Sequence, residues 1–495
     1  MTSPIDTTLP APRSGWRRVL RWIRNSVLAV LLVFGLWVVQ RLYFIATPEA
    51  PTPERLALDE RVQAGNVDSD GGLLLMGFLA PADMDPVAYG RCVLEAARST
   101  RPEANTRSLS EVAEAEDSAA EAQAGVLEQQ REARTIACAE GRALLAAPDR
   151  SEQARPELGW TSSQWAQAAK APLHAHLEQR FDTAMDSTSR SIRAENFSDP
   201  LPKFSELIAV NRSKVANLRA AWRDGNRQAA EADWMHLIEA WPTFANQNLI
   251  SAMIAAVAQT DHLLAIHNLA LEQDSSASAS DWAALVELTR TTDNMVDAIV
   301  PAVENERTFF LSLQNDLLAS MTSGSSWRRA LSKTVFDESA TSNIHADMVL
   351  RGAKNAHLSA SGMAVAPQEQ ASGRPCPGFP LLTQQNMAIC GALGRNGVGI
   401  ILMSVAEPNY ASFGTRIADL RNFAAATRLT LEARRQGIAP GKVSADWVRN
   451  APADMRDVFT GDAFEYNPER KVLRVLLRER STVLGDAGKT YELPI

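Results

Sequence analysis

The chain has 495 residues, a formal charge of −8, 11 tryptophans and 4 cysteines. That length allows two or three domains, or one elongated helical array. The acidic balance supplies no cationic field for nucleic acid, which is disfavoured as a partner, and the alanine-rich composition is that of a mostly α protein.

Residues 1–26 form a basic tail in which Arg13, Arg17, Arg18, Arg21 and Arg24 precede an apolar run. Residues 27–46 then make a 20-residue span, about 30 Å as a helix, enough to cross the hydrocarbon core of a bilayer and contact membrane lipid. Arg41 lies near the far end, where its stem can snorkel, and Trp16, Trp22 and Tyr43 suit the two interfaces. The arginine bias puts the tail in the cytoplasm and the remainder in the periplasm of an inner membrane. A cleavable signal peptide is the competing reading. Cleavage after Ala46 would put Phe44 at −3 and cleavage after Ala50 would put Pro48 there, so an uncleaved anchor is expected.

Residues 47–55 read as a short proline-rich linker. Residues 56–150 are expected to form a disulfide-linked helical subdomain. Its apolar run, Leu73 to Ala80, ends in a turn at Pro81 and Asp83, and Pro86 opens a helix capped by Asp85. Sequence order pairs Cys92 with Cys138 and Cys376 with Cys390, although four cysteines allow three connectivities. Zinc is the weaker reading, because no pair has C-x2-C spacing and no histidine sits beside them at a ligand interval. The acidic cluster Glu111, Glu114, Glu116, Asp117 and Glu121 lacks a calcium-loop pattern and reads as a solvated helix face.

Residues 151–320 carry helical periodicity throughout, with breaks expected at Asp224–Gly225–Asn226, at Trp241–Pro242 and near Thr260–Asp261. Short connections imply antiparallel αα-hairpins. The rhythm "A..AW..GN...A" resembles tetratricopeptide-like arrays, but no repeat of that period recurs, so an irregular bundle is expected. Asp281 reads as the cap of a helix beginning at Trp282. Residues 321–375, poor in aliphatic side chains, are expected to be an irregular linker region. Residues 376–495 should give a long helix striped by Phe413, Ile417, Leu420, Phe423 and Leu431, then a β-hairpin turning at Asn467–Pro468 and one more edge strand. The expected fold is therefore an N-terminal transmembrane helix, an irregular helical bundle and a small C-terminal α+β element.

Asn396, Gly397, Gly399, Tyr410, Arg416, Leu420, Asp457, Phe459, Thr460, Gly461, Phe464 and Tyr466, with the segment Ala80 to Gly90, carry a resemblance. At these positions the chain resembles uncharacterised single-span inner-membrane proteins of Gram-negative bacteria with a large periplasmic helical domain. Val458 stands where proline would be expected. The resemblance covers about a quarter of the chain; it implies an envelope location and supplies no enzymatic role.

No catalytic, cofactor-binding or metal site is predicted. His174 and His176 are two apart, His262 and His267 five apart, and neither pair shares a helix face. No H-E-x-x-H or G-x-S-x-G occurs; Glu304 and Glu306 face different ways, and "GALGRNGVG" lacks the ending of a phosphate loop. Two functions remain: a membrane-tethered scaffold that binds another envelope protein, and an envelope-acting enzyme with a dispersed site. For the first, Trp222, Trp234 and Trp241 are the candidate interface residues, their alternative being plain core packing.

Overall fold

The computed structural model describes residues 15–99, 137–140, 142–145, 160, 162–169, 175–193, 199–272, 276–322, 336–364, 375–376, 379–383, 396, 409–479 and 490–495. The chain divides into two units. One comprises Met1–Pro51, Gly324–Thr341 and Glu369–Ala406, the other Thr52–Ser323, Ser342–Gln368 and Glu407–Ile495.

In the first unit, α1 (Gly15–Ala46) is a 32-residue helix, about 48 Å long. Its Trp22–Gln40 stretch has mean hydropathy 1.9 and none of it is buried. A helix of the second unit, Leu249–Leu271, is also apolar enough to cross a membrane (mean hydropathy 1.6), yet 72% of it is buried in its own bundle. Composition makes the two alike. Packing separates a membrane helix from a core helix. The same unit holds a two-stranded antiparallel ribbon, β1 (Pro375–Cys376) with β2 (Phe379–Thr383). Asn396 accepts from the Asp337 backbone N–H (3.0 Å) and donates to the Thr341 hydroxyl (2.7 Å), while Asp337 accepts from the Glu49 N–H at 3.3 Å.

The second unit is a helical domain with a small sheet. It opens with α2 (Pro53–Gly65), started by Thr52 as cap and a proline in the first turn, so helix begins inside the expected linker. Next come α3 (Asp70–Met76), capped by Ser69, and α4 (Pro86–Ser99), where Asp85 accepts from the Val87 and Ala88 N–H groups. These two helices meet backbone to backbone. A Cβ on Gly77 would lie 1.8 Å from the Pro86 carbonyl oxygen, and one on Gly90 would lie 1.9 Å from that of Leu73. Gly90→Ala should therefore force α3 and α4 apart and cost at least about 2 kcal/mol, checked by urea unfolding. An unchanged midpoint would contradict this contact. Cys92 and Cys138 are bonded, with Cα atoms 5.9 Å apart across a sequence separation of 46. Chain-entropy reasoning for that loop gives about 4 kcal/mol. Reduction should lower the melting temperature, and Cys92→Ser should make the reductant shift smaller.

Then follow α5 (Ser162–Ala169), α6 (Ala175–Asp186), α7 (Phe204–Arg223), α8 (Arg227–Ala245), α9 (Leu249–Leu271), α10 (Ala279–Arg290) and α11 (Met295–Thr322). The Asp224–Gly225–Asn226 break is present, with Gly225 at φ +97°. The other two breaks are absent. Pro242 lies inside α8, and α9 runs unbroken through Asp261, whose buried carboxylate is paired with Arg212 at 3.0 Å. Ser278, not Asp281, caps α10; Asp281 is the third residue of a capping box and accepts from the Ser278 N–H.

The clearest departure is α12 (Glu338–Ala360), a 23-residue helix where an irregular segment is expected. Its interior is Ala346, Ala353, Ala356 and Ala360, with few large aliphatics, because it meets a partner closely. That partner is α13 (Tyr410–Arg435): a Cβ on Gly414 would lie 2.0 Å from the Ala356 carbonyl oxygen. α13 is buried over most of its circumference, so the single expected stripe underestimates it. After the short α14 (Ala445–Arg449), strands β3 (Glu465–Asn467), β4 (Val472–Leu476) and β5 (Thr490–Pro494) form an antiparallel sheet in that order. Asn467 ties the hairpin by accepting from the Glu469 and Arg470 N–H groups, both at 3.0 Å.

Candidate functional site

The candidate interface tryptophans are core residues. Trp222, Trp234 and Trp241 are each 0% exposed. Trp222 packs on Trp282 (5.1 Å between centroids) under Arg227, Trp241 lies against Phe244 and Phe181, and the Trp234 indole donates to His262 Nδ1 at 2.8 Å. Each occupies the same helical stripe as its aliphatic neighbours, and that stripe faces inward. They offer no surface for a partner.

His262, His267 and His345 are likewise absorbed by the fold, while His176 and His236 are exposed and His174 lies outside the described residues. Because Trp234 donates to Nδ1, His262 carries its proton on Nε2 and donates to Asn211 Oδ1 at 3.0 Å. His267 donates from Nε2 to the Pro494 carbonyl at 3.1 Å, tying α9 to the last strand. His345 accepts from Arg307, its ring stacked on Phe310 at 3.7 Å. Burial lowers all three: His262 to about 3, His267 to about 4 and His345 well below the ordinary value. Glu304 and Glu306 part company as expected, Glu304 bonding Arg61 at 2.8 Å and Glu306 accepting from the Leu249 N–H at 3.1 Å. Burial raises the Glu306 carboxyl. Among the described residues no three His, Cys, Asp or Glu side chains are placed to hold a metal ion. The acidic cluster Glu111–Glu121 lies outside the described residues, as do Cys390 and hence the pairing proposed for Cys376.

What the helices do assemble is a groove of about 80 Å³. Val62 and Asn66 of α2 and Leu75 of α3 form one side. The segment before α7 forms another through Arg190, Arg193, Asp199 and Leu201, where Pro200 and Pro202 keep the chain extended up to Phe204. Phe244, Gln247, Asn248 and Ser251 come from the α8–α9 turn, and Asn305, Thr308 and Phe309 from α11. That turn is held firmly. Asn248 caps α9 by accepting from the Ser251 N–H (2.8 Å), and Asn305 donates to the Asn246 and Gln247 carbonyls at 3.1 and 3.0 Å.

Arg190 is the group of most chemical interest in the groove wall. It is 4% exposed, and its Nε and Nη2 donate to the Ala184 and Met185 carbonyls at the end of α6. Its buried Nη1 has no hydrogen-bond partner among the described residues. Burial lowers its pKa to about 10, partly offset by Asp186, so the guanidinium stays charged at neutral pH. Asp199, the one carboxylate among the described lining residues, is paired with Arg98 at 3.6 Å. The groove thus mixes apolar and polar lining, with Arg190 and Arg193 among its charged side chains. Sequence reasoning passes over it because its lining comes from five separated segments, two of them aperiodic; the Pro-Leu-Pro run before Phe204 is the one local signal.

Several positions of the Asp457–Tyr466 segment do structural work, whereas Gly397 and Gly399 lie outside the described residues. Asp457 Oδ1 accepts from the Phe459 and Thr460 N–H groups at 2.8 and 3.1 Å, an Asx-type turn closed by Gly461 at φ +72°. Asn422 of α13 fastens it, donating to Asp457 and accepting from the Val458 N–H at 3.0 Å. A proline at 458 would remove that donor. Tyr466 donates its hydroxyl proton to the Val443 carbonyl at 3.0 Å. Comparison with protein-family models, with curated proteins and with solved structures finds no match for this chain.

Proposed function

We propose that this is a single-span protein of a bacterial inner membrane whose periplasmic helical domain binds another envelope protein. The membrane-associated helix and the large helical domain outside it are features of the fold. The periplasmic orientation draws on two independent signals, the arginines before α1 and the Cys92–Cys138 bond, which belongs to an oxidising compartment. The observation that carries the binding role is the groove between α2, the α8–α9 turn and α11. Its lining combines apolar side chains with a comparable number of polar ones, which can bind a partner and fix its orientation. Leu201, 45% exposed on its rim, replaces the buried tryptophans as the contact residue.

The test is photo-cross-linking in intact envelopes, with a benzophenone side chain at Leu201 and, as control, at Leu476, an exposed residue on β4. A single protein captured from position 201 and not from 476 is the expected result. Equal or absent capture at the two positions would remove the proposal.

A further inference from the structure

We infer that the open face of α9 and the start of α13 together dock an amphipathic helix of the partner protein, an acidic side chain of which pairs with Arg416. This rests on the binding role proposed above and names a further contact surface and the chemistry that fits it. From Ala258 to Ala270 every residue of α9 is buried, so its open face is confined to the stretch before them. That face is apolar. Ile250 is 43% exposed, and Met253, Ile254 and Val257 are half-buried. Their spacing puts them on one helical stripe, about 10 Å long. The stripe continues onto α13 through Phe413, also half-buried, and through Arg416. The Arg416 guanidinium lies over the Phe413 ring at 5.1 Å, and its Nη1 is 3.9 Å from the Met253 sulfur. A contiguous apolar stripe left at the surface of an otherwise sealed helix marks a contact surface.

Arg416 indicates what covers it. Arg55, Arg212 and Arg421 are half-buried too, and each reaches an aspartate: Asp59 at 3.3 Å, Asp261 at 3.0 Å and Asp293 at 2.8 Å. Among the described residues Arg416 reaches no carboxylate and meets the ring and the thioether instead. A carboxylate arriving among apolar neighbours would form a charge-assisted bond that strengthens as the contact expels water. A second copy docking through the same face would not supply it, since none of these six residues is acidic. A bilayer surface is reached by protruding side chains, and here Ile250 alone of the stripe is exposed. A helix with apolar residues at matching spacing packs into such a stripe. In the chain Ile250 stands between Asn248 and Ser251, which line the groove with Leu201, so one partner can span both surfaces.

The test uses the full chain in intact envelopes, with a benzophenone side chain at Ile250 and mass spectrometry of the joined peptides. The expected product joins this position to one segment of another protein. That segment should carry apolar residues at helical spacing and an Asp or Glu beside them. Arg416→Glu is expected to lower the yield about 10-fold or more, and Arg416→Lys to retain most of it. Arg416→Met keeps a long side chain on Phe413 without the charge, and should lower the yield with the melting temperature unchanged. Changing the captured acid to arginine should restore the yield of the Arg416→Glu variant. A captured segment without an acid, a yield indifferent to both Arg416→Glu and Arg416→Met, or failure of the reversed pair to recover would overturn the pairing. Products joining Ile250 to a second copy, to its own chain or to lipid would overturn the inference in favour of that occupant. A partner captured from Leu201 and none from Ile250 would overturn this surface and spare the binding role; absence of capture at both would overturn the two together.

Discussion

Lowering the pH from 7.5 to 5 should cost this protein about 3 kcal/mol of stability, read from urea unfolding in nanodiscs by the fluorescence of its buried tryptophans. His262 and His267 are held neutral by burial, at about 3 and about 4. In the unfolded chain each takes up a proton near the ordinary value of about 6.5. Below that value the unfolded state binds more protons, so stability present above it is lost progressively as the pH falls toward the folded-state values. Each histidine costs about 2 kcal/mol at pH 5 on this reckoning. His345, also depressed by burial and by Arg307, acts in the same direction.

Asp419 opposes them. It accepts from the backbone N–H groups of Arg478 and Glu479, yet burial raises it to about 6. A carboxyl with a raised value binds its proton first in the folded state, so it adds stability as the pH falls from about 6 toward the ordinary carboxylate range, returning about 1 kcal/mol by pH 5. Two substitutions separate the contributions. His262→Gln should flatten the profile by close to one proton, about 1.4 kcal/mol per pH unit below 6, whatever it does at pH 7. Asp419→Asn should steepen the loss. A profile that is flat or rises between pH 7.5 and 5 would falsify the neutral buried assignment of these histidines.

Those histidines also show where sequence reading stops. Their spacing correctly excludes a shared helical face, but spacing says nothing of a Trp234 indole arriving from another helix to fix the tautomer of His262. Local signals were legible wherever the chemistry is local. The arginines and apolar run of α1, the Asp85–Pro86 start of α4, the Asp224–Gly225–Asn226 break and the Asn467 hairpin are each decided within a few residues. Long-range packing decides the rest. A tryptophan on a stripe looks alike whether the stripe faces a core or a partner, and Trp222, Trp234 and Trp241 all face the core. Helix α12 is hidden because its contact uses Ala356 against Gly414 instead of large aliphatics. The groove is hidden because Val62, Arg190, Asn248 and Phe309 have no relation in sequence.

Arg180→Met should be the most damaging substitution in the disulfide-linked region, lowering stability by about 3 to 5 kcal/mol. The Arg180 guanidinium is buried against the turn between α3 and α4 and serves four carbonyls there. Nη1 donates to Phe78 and Ala80 at 3.0 and 2.6 Å, and Nη2 to Pro81 and Met84 at 3.0 and 3.3 Å. Methionine fills similar volume and supplies no donor, which leaves carbonyls of an irregular turn unpaired in the interior. Lysine should recover only part of the loss, since one ammonium cannot span positions that the planar fork reaches together. Burial lowers the Arg180 pKa, partly offset by Asp85, so the charge is retained through an environment the turn itself creates. The turn needs this support because α3 and α4 touch at Gly77 and Gly90, where no side chains interdigitate. The variant should therefore open this region first, with proteolysis between residues 77 and 86 preceding loss of tryptophan fluorescence from the bundle. A Met variant within 1 kcal/mol of the parent, or one whose cleavage and bundle unfolding coincide, would show that the Cys92–Cys138 bond holds the turn without the arginine.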